Sequence, residues 1–312
     1  MNLLAAPTLV HSSKTQAMKR VSVVVANFNM ARYLADAIHS ILAQTHPIHE
    51  VHVVDDGSTD GSRAVMETFR ALPQVHLHYQ VNGGQAKAKN RGVRESTGEF
   101  VAFCDADDCW ARTKLEIQLP CFDLDPKIGV VHTNFVLINA DGKPLGTPER
   151  QYFDGWVSGR LLIDNFVNGM ASVVKRECFE RVGLFDESLP MGIDYDLWLR
   201  ISPHYKFHFV DDRSYFYRQW EGQMSRRHER RFECASIIMR RFIEANPGLI
   251  DDATIREAWA HTYVSRGRTL LEIERNRREA VRCFLGALRV RPSYIPAWKS
   301  LLRAALPVQK PL

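Results

Sequence analysis

Four short segments in the first third of the chain are rich in apolar and β-branched residues and predict buried β-strands. They span residues 21–26, 50–54, 75–79 and 100–104. The first reads Val-Ser-Val-Val-Val-Ala, without the alternation of apolar and polar residues that a half-exposed strand shows. Strands of this kind are typical of a sheet that is covered on both faces.

The segments between these strands have the spacing of amphipathic helices. The helix expected after the first strand carries four apolar residues on one side, namely Leu34, Ile38, Ile41 and Leu42. A second helix would end near Pro73, and a basic third helix would span residues 85–96. Strands that alternate with helices in this way predict an α/β fold with a mainly parallel sheet.

Beyond residue 126 the alternation is weaker, and a helical segment follows at the end of the chain. The elements expected up to residue 210 are strands at 128–139, 168–174 and 206–210, a hairpin turn at Asp141-Gly142 and a helix at 194–201. From residue 226 the pattern is helical, with breaks at 246–248 and 291–292. We therefore predict a flexible N-terminal arm (1–19), an α/β domain (20–225) and a helical tail (226–312).

The tail resembles part of a tetratricopeptide repeat. Residues that match the second half of such a repeat are Ala280, Phe284, Ala287 and Pro292, and Trp298 and Leu301 would begin another. The first half matches poorly, because Arg268 stands where a glycine is expected. One or two incomplete repeats would cover the α/β domain or pair with another protein.

Charge is distributed unevenly between these two parts. The net charge is +5, but residues 226–312 hold 18 Lys and Arg against 9 Asp and Glu, and the remainder holds 23 against 27. A basic tail suits nucleic acid, an anionic membrane or an acidic protein, whereas solvated helix faces are the simpler explanation. We expect no nucleic-acid partner and leave open a peripheral contact with a membrane or a protein.

Cysteine spacing and hydropathy indicate the compartment. The six cysteines are scattered without a CxxC pair, and no apolar stretch approaches the roughly 20 residues that span a bilayer. We therefore expect a cytoplasmic protein without disulfides, one that could dock on the inner face of the membrane through its basic tail.

Acidic and amide side chains follow three of the predicted strands. Asp105-Ala106-Asp107-Asp108 comes directly after one strand, and the pairs Asn27/Asn29 and Asp55/Asp56 follow two others. Loops at the carboxyl ends of parallel strands meet in one crevice, which is the usual ligand site of such sheets. Three crowded carboxylates repel one another unless a cation or hydrogen-bond donors compensate their charge. A set of ligands made only of oxygen atoms favours Mg²⁺ or Mn²⁺. The alternative is a solvated loop that caps the next helix through Thr113.

These motifs, taken in order, resemble family 2 glycosyltransferases of the GT-A fold. The matching segments are Asn27-Phe28-Asn29, Val54 to Asp60, Asp105 to Asp108, and Gly192-Ile193-Asp194-Tyr195-Asp196-Leu197-Trp198-Leu199-Arg200. The resemblance covers roughly residues 21–222. It implies a nucleotide-sugar donor (most often a UDP-sugar), a divalent metal, and transfer with inversion to a hydroxyl of a surface glycan, glycolipid or protein.

The same resemblance assigns roles on the donor side. Asp107 would be the first metal ligand, Asp105 would bind ribose or metal, and Asp108 would act directly or through water. A metal here would neutralise the charge of the departing diphosphate. Asp56 resembles the acid that binds uracil, and Asp55 lies beside it.

Further donor contacts are expected from the first strand's loop and from the basic helix. Phe28 would pack against the base, with plain core filling as its alternative, and Asn27 and Asn29 would flank it. Lys89 stands where relatives usually have arginine and could still meet a diphosphate as a point charge. Arg218 would bind phosphate or acceptor, or else form a structural salt bridge.

On the acceptor side, Asp194 aligns with the expected general base, which takes the proton of the acceptor hydroxyl. The family pattern has an acid before it, where this chain has Ile193. Asp196 is the second candidate, although an acid at a helix start is well explained by the helix dipole. Trp220 stands where relatives often carry histidine.

Two other functions remain open from the sequence alone. A sugar nucleotidyltransferase would also bind nucleotide and metal at a sheet edge, but would need a glycine-rich basic loop where Asn27 to Met30 stand. A catalytically impaired domain that acts as an interaction module through its helical tail would explain the changes at Ile193 and Trp220. The sugar, the acceptor and the linkage have no readable signal.

Overall fold

A computed structural model describes residues 18–221, 223 and 228–305. Nearly all of the predicted N-terminal arm and the boundary at Ser225 lie outside the described residues. Across the described part, no helix is both long and apolar enough to cross a bilayer. The limits of the three predicted domains therefore stay predictions.

The first half of the sheet is parallel, as the alternating pattern predicts. Its strands are β1 (Val21–Asn27), β2 (Glu50–Asp55), β3 (Val75–Tyr79) and β4 (Phe100–Asp105), arranged in the order β3-β2-β1-β4. The helices that connect them are α1 (Ala31–Leu42), α2 (Ser62–Glu67) and α3 (Gln85–Glu95). Register pairs Asn27 with Asp55 and Ala26 with Asp105, so three strands end at one edge.

The second half of the sheet is mixed. The strands are β5 (Cys109–Trp110), β6 (Ile128–Ile138), β7 (Pro144–Gly146), β8 (Ser172–Lys175) and β9 (Lys206–Arg218), and β4 continues through β8, β6 and β9 to β5. Strand β8 is antiparallel to β4 and β6, and β6 is parallel to β9. The helices in this half are α4 (Lys114–Gln118), α5 (Ser158–Ile163), α6 (Arg176–Val182) and α7 (Ile193–Ile201).

Two strand predictions in this half need correction. Residues 169–171 form a short 3₁₀ turn instead of a strand, because the Asn168 side chain accepts hydrogen bonds from the amides of Met170 and Ala171. The strand predicted at 206–210 continues to Arg218, since β6 pairs with it along its length.

Four further helices follow: α8 (His228–Ala245), α9 (Asp252–Glu272), α10 (Arg277–Val290) and α11 (Ile295–Ala305). Asp251 and Asn276 cap α9 and α10 by accepting backbone amides, as residues at these positions commonly do. Buried residues of α8, together with Ala258 of α9, belong to the same apolar core as the sheet. The remainder of α9 builds a second core with α10 and α11.

The repeat-like packing of the tail depends on a glycine one position away from the predicted one. A Cβ atom placed on Gly267 would lie 2.4 Å from Cε1 of Phe284, so only glycine lets α9 and α10 approach this closely. Phe284 is fully buried there with Ala280 and Ala287. Gly267 is thus the neighbour of Arg268, the position where the repeat pattern expects a glycine.

Candidate active site

A cleft of about 1630 Å³ opens at the carboxyl ends of β1 and β4. Helices α7, α8 and α9 form its opposite wall. The predicted site residues that line it are Asn27, Phe28, Asn29, Asp56, Lys89, Asp105, Asp107 and Asp194. Asp55, Asp108 and Arg218 do not line it, and each of these has a different position from the one expected.

Asp107 lies at the centre of the acidic loop and is held by residues from after β9. Its Oδ2 accepts a hydrogen bond of 2.8 Å from Nε1 of Trp220 and a longer one of 3.5 Å from Gln223. Burial, and next the charge of Asp105, raise the pKa of Asp107 above its ordinary value. Two carboxylates that face one cleft without a full countercharge suit a bound cation.

Asp105 is the more open of these two carboxylates, with 35% of its side chain exposed. Its Oδ1 lies 3.0 Å from Nζ of Lys89, which is itself only 2% exposed. A buried ammonium group at this point gives the cleft a fixed positive charge beside the acidic loop. That position suits a diphosphate, which needs positive charge close to its oxygens.

Asp108 faces away from the cleft and is 1% exposed. Its Oδ1 accepts from the Arg218 amide at 2.7 Å, and its Oδ2 accepts a short hydrogen bond from the Tyr215 hydroxyl. Burial, then the charge of Asp107, raise its pKa well above the ordinary value. Asp108 does not line the cleft, and its oxygens join the acidic loop to β9, so we remove Asp108 from the expected metal ligands.

Arg218 also has a structural position instead of the expected contact with phosphate or acceptor. Its guanidinium donates 2.7 Å and 3.1 Å hydrogen bonds to the carbonyls of Asp107 and Ala140, and lies 4.6 Å from the ring centroid of Tyr33. With 4% exposure it cannot reach a ligand in the cleft. It orders the loop that carries Asp107.

Asp55 supports the loop after β1 through hydrogen bonds to its two carboxylate oxygens. Its Oδ1 accepts from Nδ2 of Asn27 at 2.8 Å, and its Oδ2 accepts from the amide of Ser58. Asn29 has a positive φ of 55° and accepts from the amide of Thr59. These contacts hold the loop of Phe28 open toward the cleft. Asp55 and Asn29 therefore shape the part of the cleft that carries Phe28.

Phe28 is 45% exposed and lines the cleft, which excludes the core-filling alternative. Asp56 lies nearby and is 3% exposed. Its carboxylate accepts hydrogen bonds from the amides of Gly83 and Gly84 at 2.9 and 2.8 Å. The aromatic face and the fixed carboxylate are placed at the end of the cleft formed by β1 and β2.

Asp194 lies across the cleft, in the first turn of α7. The turn before this helix places Gly192 at φ 73°, a conformation that favours glycine. Oδ2 of Asp194 has one long contact, 3.4 Å from Nδ2 of Asn165, so the carboxylate is open to the cleft. Ile193 beside it is 3% exposed and packs into the core.

Asp196 is explained by structure alone, in agreement with the helix-start interpretation. Its Oδ2 forms a 2.7 Å ion pair with Arg200 one turn later. Arg200 also donates to the carbonyls of Val182 and Leu184. This network holds α7 against the end of α6 and leaves Asp194 as the free carboxylate of the segment.

Several lining residues were not predicted from the sequence. They are Asn165, Gln223, and the tail residues Phe232, Ile238, Met239, His261 and Arg266. Gln223 lies shortly after Trp220, and the unusual residue at Trp220 was the signal that could have identified it. The tail residues carry no local signal, because only the packing of α8 and α9 brings them to the cleft.

Comparison with known proteins agrees with this geometry. The model of the family described as Glycosyl transferase family 2 matches residues 22–181, just over half of the chain. TuaG of Bacillus subtilis, a glycosyltransferase named for teichuronic acid biosynthesis, is 38% identical over 148 residues, which cover 46% of this chain and 58% of TuaG. An uncharacterized glycosyltransferase of Rickettsia typhi is 32% identical over 198 residues, 61% of this chain and 62% of that one.

Solved structures with the same fold cover more of the chain. Staphylococcus aureus TarS, residues 1–349 in complex with UDP-GlcNAc, has a TM-score of 0.67 at 20% identity over 87% of this chain and 81% of that chain. The mannosyltransferase PcManGT from Pyrobaculum calidifontis, in complex with GDP-Man and Mn²⁺, has a TM-score of 0.65 at 23% identity, covering 94% and 81%. These similarities establish the GT-A fold.

The aligned segment spans less than two thirds of TuaG and of the Rickettsia typhi protein. The family match includes β1, β2 and β4, whose loops carry Phe28, Asp56 and Asp107. The predicted fold class, an α/β GT-A domain followed by helices, is confirmed. The chain belongs to glycosyl transferase family 2.

Proposed function

We propose that the protein transfers a sugar from a nucleotide-sugar, most simply a UDP-sugar, to a hydroxyl acceptor with inversion at the anomeric carbon. One observation carries the proposal: a single cleft has the Asp105/Asp107 pair and Lys89 on one side and the open carboxylate of Asp194 on the other. Donor and acceptor would therefore meet between two sets of groups with different tasks.

The donor side has separate groups for the base and for the diphosphate. Phe28 offers an exposed ring for stacking, and Asp56 would accept from the ring N–H of uracil. Lys89 supplies a buried positive charge for the diphosphate. The donors UDP-GlcNAc and GDP-Man in the complexes of TarS and PcManGT support a nucleotide-sugar of this class.

A divalent metal fits this donor side. Asp107 and Asp105 would hold it, and their oxygen-only donor set suits Mn²⁺ or Mg²⁺. Burial and, after it, the charge of Asp105 raise the pKa of Asp107, and a bound cation would oppose both effects. When bound, the metal would supply positive charge to the leaving diphosphate. The Mn²⁺ in the PcManGT complex supports this choice.

The acceptor side performs the proton transfer. The acceptor oxygen forms the new bond to the anomeric carbon as the bond from that carbon to the diphosphate oxygen breaks, and the nucleotide leaves with the electron pair. Asp194 takes the hydroxyl proton from the opposite face. Attack opposite the leaving group inverts the anomeric centre. The acceptor would be a surface glycan, glycolipid or protein, as TuaG's name also suggests.

Release of UDP from a panel of UDP-sugars with Mn²⁺ or Mg²⁺ tests the proposal. We expect metal-dependent release by the wild type, and its loss in Asp107→Ala and Asp194→Asn. Nucleotide binding should persist in Asp194→Asn and weaken in Asp107→Ala. Asp164→Asn, which changes an exposed carboxylate of the same cleft, is the control. Absence of donor binding in the wild type would overturn the proposal.

For the location of the protein we keep the prediction from the sequence, which is the cytoplasm with contact to the inner face of the membrane. The basic tail, with 18 Lys and Arg against 9 Asp and Glu, supports such a contact. Sedimentation of the full chain with anionic and with neutral vesicles tests it. Equal binding to both would contradict the prediction.

A further inference from the structure

A second group of metal-ligating side chains lies on the sheet, away from the cleft. Glu50 and His52 are two residues apart on β2 and so share one face, and His76 on β3 is the register partner of His52. Within the described residues, these three form the one group of His, Cys, Asp or Glu ligands whose atoms all lie within 4.8 Å of one another. The cleft, by contrast, lies beyond the carboxyl ends of the strands.

One distance in this group matches that between two ligands of a zinc ion, and the ligand atom of His76 lies within 4.8 Å of the other two. Nε2 of His52 lies 3.3 Å from Oε2 of Glu50. Two ligands of a tetrahedral zinc ion with bonds of about 2.0–2.1 Å are about 3.3–3.4 Å apart. Nε2 of His52 is buried and faces this Glu50 oxygen without a well-formed hydrogen bond to it. A metal ion between the two atoms would satisfy both.

The outer contacts of these ligands are also those of a metal site. Oε1 of Glu50 accepts from the hydroxyl of Ser22 at 2.6 Å and from Thr97, which leaves Oε2 directed at His52. Nδ1 of His52 pairs with Nε2 of His78 at 3.0 Å. Ligating histidines and carboxylates usually have such partners, which fix their orientation.

We propose that Glu50, His52 and His76 bind a zinc-class divalent ion. Two imidazoles and one carboxylate are a recognised zinc set, and imidazole selects against Mg²⁺ and Ca²⁺. His76 is exposed and lies on the edge strand β3, so the ion can enter from solvent, and water can complete the coordination. The bound ion would join β3 to β2.

Charged groups from the packed helices also face this site. Glu95 on α3 acts on both His52 and His78 and favours a cation. Arg91 on α3 acts on His78, and Arg176 acts on Glu50; both oppose a cation. Arg91 acts on the supporting histidine and not on a ligand. Glu50 and Glu95 supply two negative charges to the surroundings of the ion, and Arg91 and Arg176 offset part of them.

The test uses the full chain after chelation, in an Asp105→Asn/Asp107→Asn background that removes the proposed metal ligands of the cleft. Zn²⁺ is titrated calorimetrically into this background, into the same background with His76→Asn, and into the same background with His49→Asn. The side chain of His49 is exposed at the approach to β2, and its one hydrogen bond among those described is with the Thr97 hydroxyl, so His49 is the matched control. Circular dichroism verifies folding of each variant.

We expect one Zn²⁺ per chain in the background and in the His49→Asn variant, and an affinity at least about tenfold weaker with His76→Asn. Zn²⁺ should also raise the unfolding temperature of the background and of its His49→Asn variant, and not that of its His76→Asn variant. X-ray absorption of the Zn²⁺ complex should show two imidazole ligands. No binding in the background, or equal affinity in the two histidine variants, overturns the proposal.

Discussion

Nε1 of Trp220 donates a 2.8 Å hydrogen bond to Oδ2 of Asp107, the carboxylate that we propose as the first metal ligand. The indole also packs against Tyr33, with ring centroids 6.2 Å apart. The family resemblance predicts a histidine at this position. Here the neutral indole N–H holds the carboxylate, so Trp220 forms part of the site.

Removing this N–H should change how Asp107 titrates. In Trp220→Phe the ring packing is largely kept, but a bond to an ionised group, worth about 1.5–3 kcal/mol, is lost. The bond lowers the pKa of Asp107, so its loss raises that pKa. Asp107 must be ionised to hold a metal, and activity is lost as pH falls through its pKa. The acid limb of the kcat/KM profile should thus move to higher pH.

The pH profile of UDP release by wild type and Trp220→Phe measures this shift. Tyr33→Phe is the control, because it keeps an aromatic ring beside Trp220 without touching the N–H. An unchanged acid limb in Trp220→Phe would show that the hydrogen bond does not act on the titrating group.

Asp194→Asn should abolish most turnover while donor binding is kept. Loss of a general base typically costs about 10²–10⁴-fold in rate. Asp196→Asn is the matched comparison, since Asp196 forms an ion pair with Arg200 and does not face the cleft. We expect Asp196→Asn to lower the free energy of unfolding, and Asp194→Asn to leave it nearly unchanged. Turnover numbers and denaturant midpoints of both variants decide between these roles.

Phe28→Ala should weaken nucleotide binding without destabilising the fold. The ring is 45% exposed, so little core packing is lost, whereas stacking of a base on an aromatic ring is worth about 1–3 kcal/mol. That energy corresponds to roughly a 5- to 150-fold rise in the Kd of UDP. Calorimetric titration with UDP measures it, with Trp298→Ala, an exposed aromatic of the tail, as control. A Kd equal to that of the wild type would exclude stacking.

Lys89→Met should have opposite effects on two ligands. Nζ of Lys89 lies 3.0 Å from Asp105, so its removal frees that carboxylate and should tighten Mn²⁺ binding in the absence of nucleotide. The same change removes a positive charge from the diphosphate site, so UDP should bind at least about tenfold more weakly. Lys87→Met, on the exposed side of α3, is the control. Parallel changes in both affinities would contradict this arrangement.

Two glycines of the tail should respond in opposite directions to alanine. At Gly267 a Cβ would lie 2.4 Å from Phe284, and overpacking of this kind costs about 1–3 kcal/mol. At Gly286, within α10, the nearest atom would be 3.4 Å away on Tyr263, an ordinary contact. Gly286→Ala should therefore stabilise by about 0.4–1 kcal/mol, because alanine has less unfolded-state entropy. Denaturant unfolding of both variants measures the difference.

The sequence predicts the first half of the fold well because its signals are local. The apolar segments 21–26 and 100–104 became β1 and β4 within one residue, and Leu34, Ile38 and Ile41 are buried on α1. The prediction from the sequence is weaker after residue 126, where side-chain contacts such as that of Asn168 with two backbone amides override strand propensity. The pattern of apolar residues reports only periodicity, and a local hydrogen bond can stabilise a turn where that pattern predicts a strand.

For the site, the sequence determined which residue types follow each strand and therefore which of them gather at one sheet edge. That predicted that Phe28, Asp56 and Asp107 gather at one edge, because each follows a strand of a parallel sheet, whereas Asp194 was assigned only through the family resemblance. It could not separate Asp107 from Asp108, which are neighbours in the chain. Successive residues point in different directions, and only the packing of β9 shows that Asp108 is used by Tyr215 and Arg218.

Tertiary structure alone decided the contacts between segments that are distant in sequence. Trp220 reaches Asp107 across 113 positions, and α8 and α9 close the cleft from the tail. His52 and His76 meet because β2 and β3 pair in a register that no local spacing encodes. Local pattern fixes the elements and the residues at their ends, whereas long-range packing fixes which of those side chains face a ligand and which hold the fold.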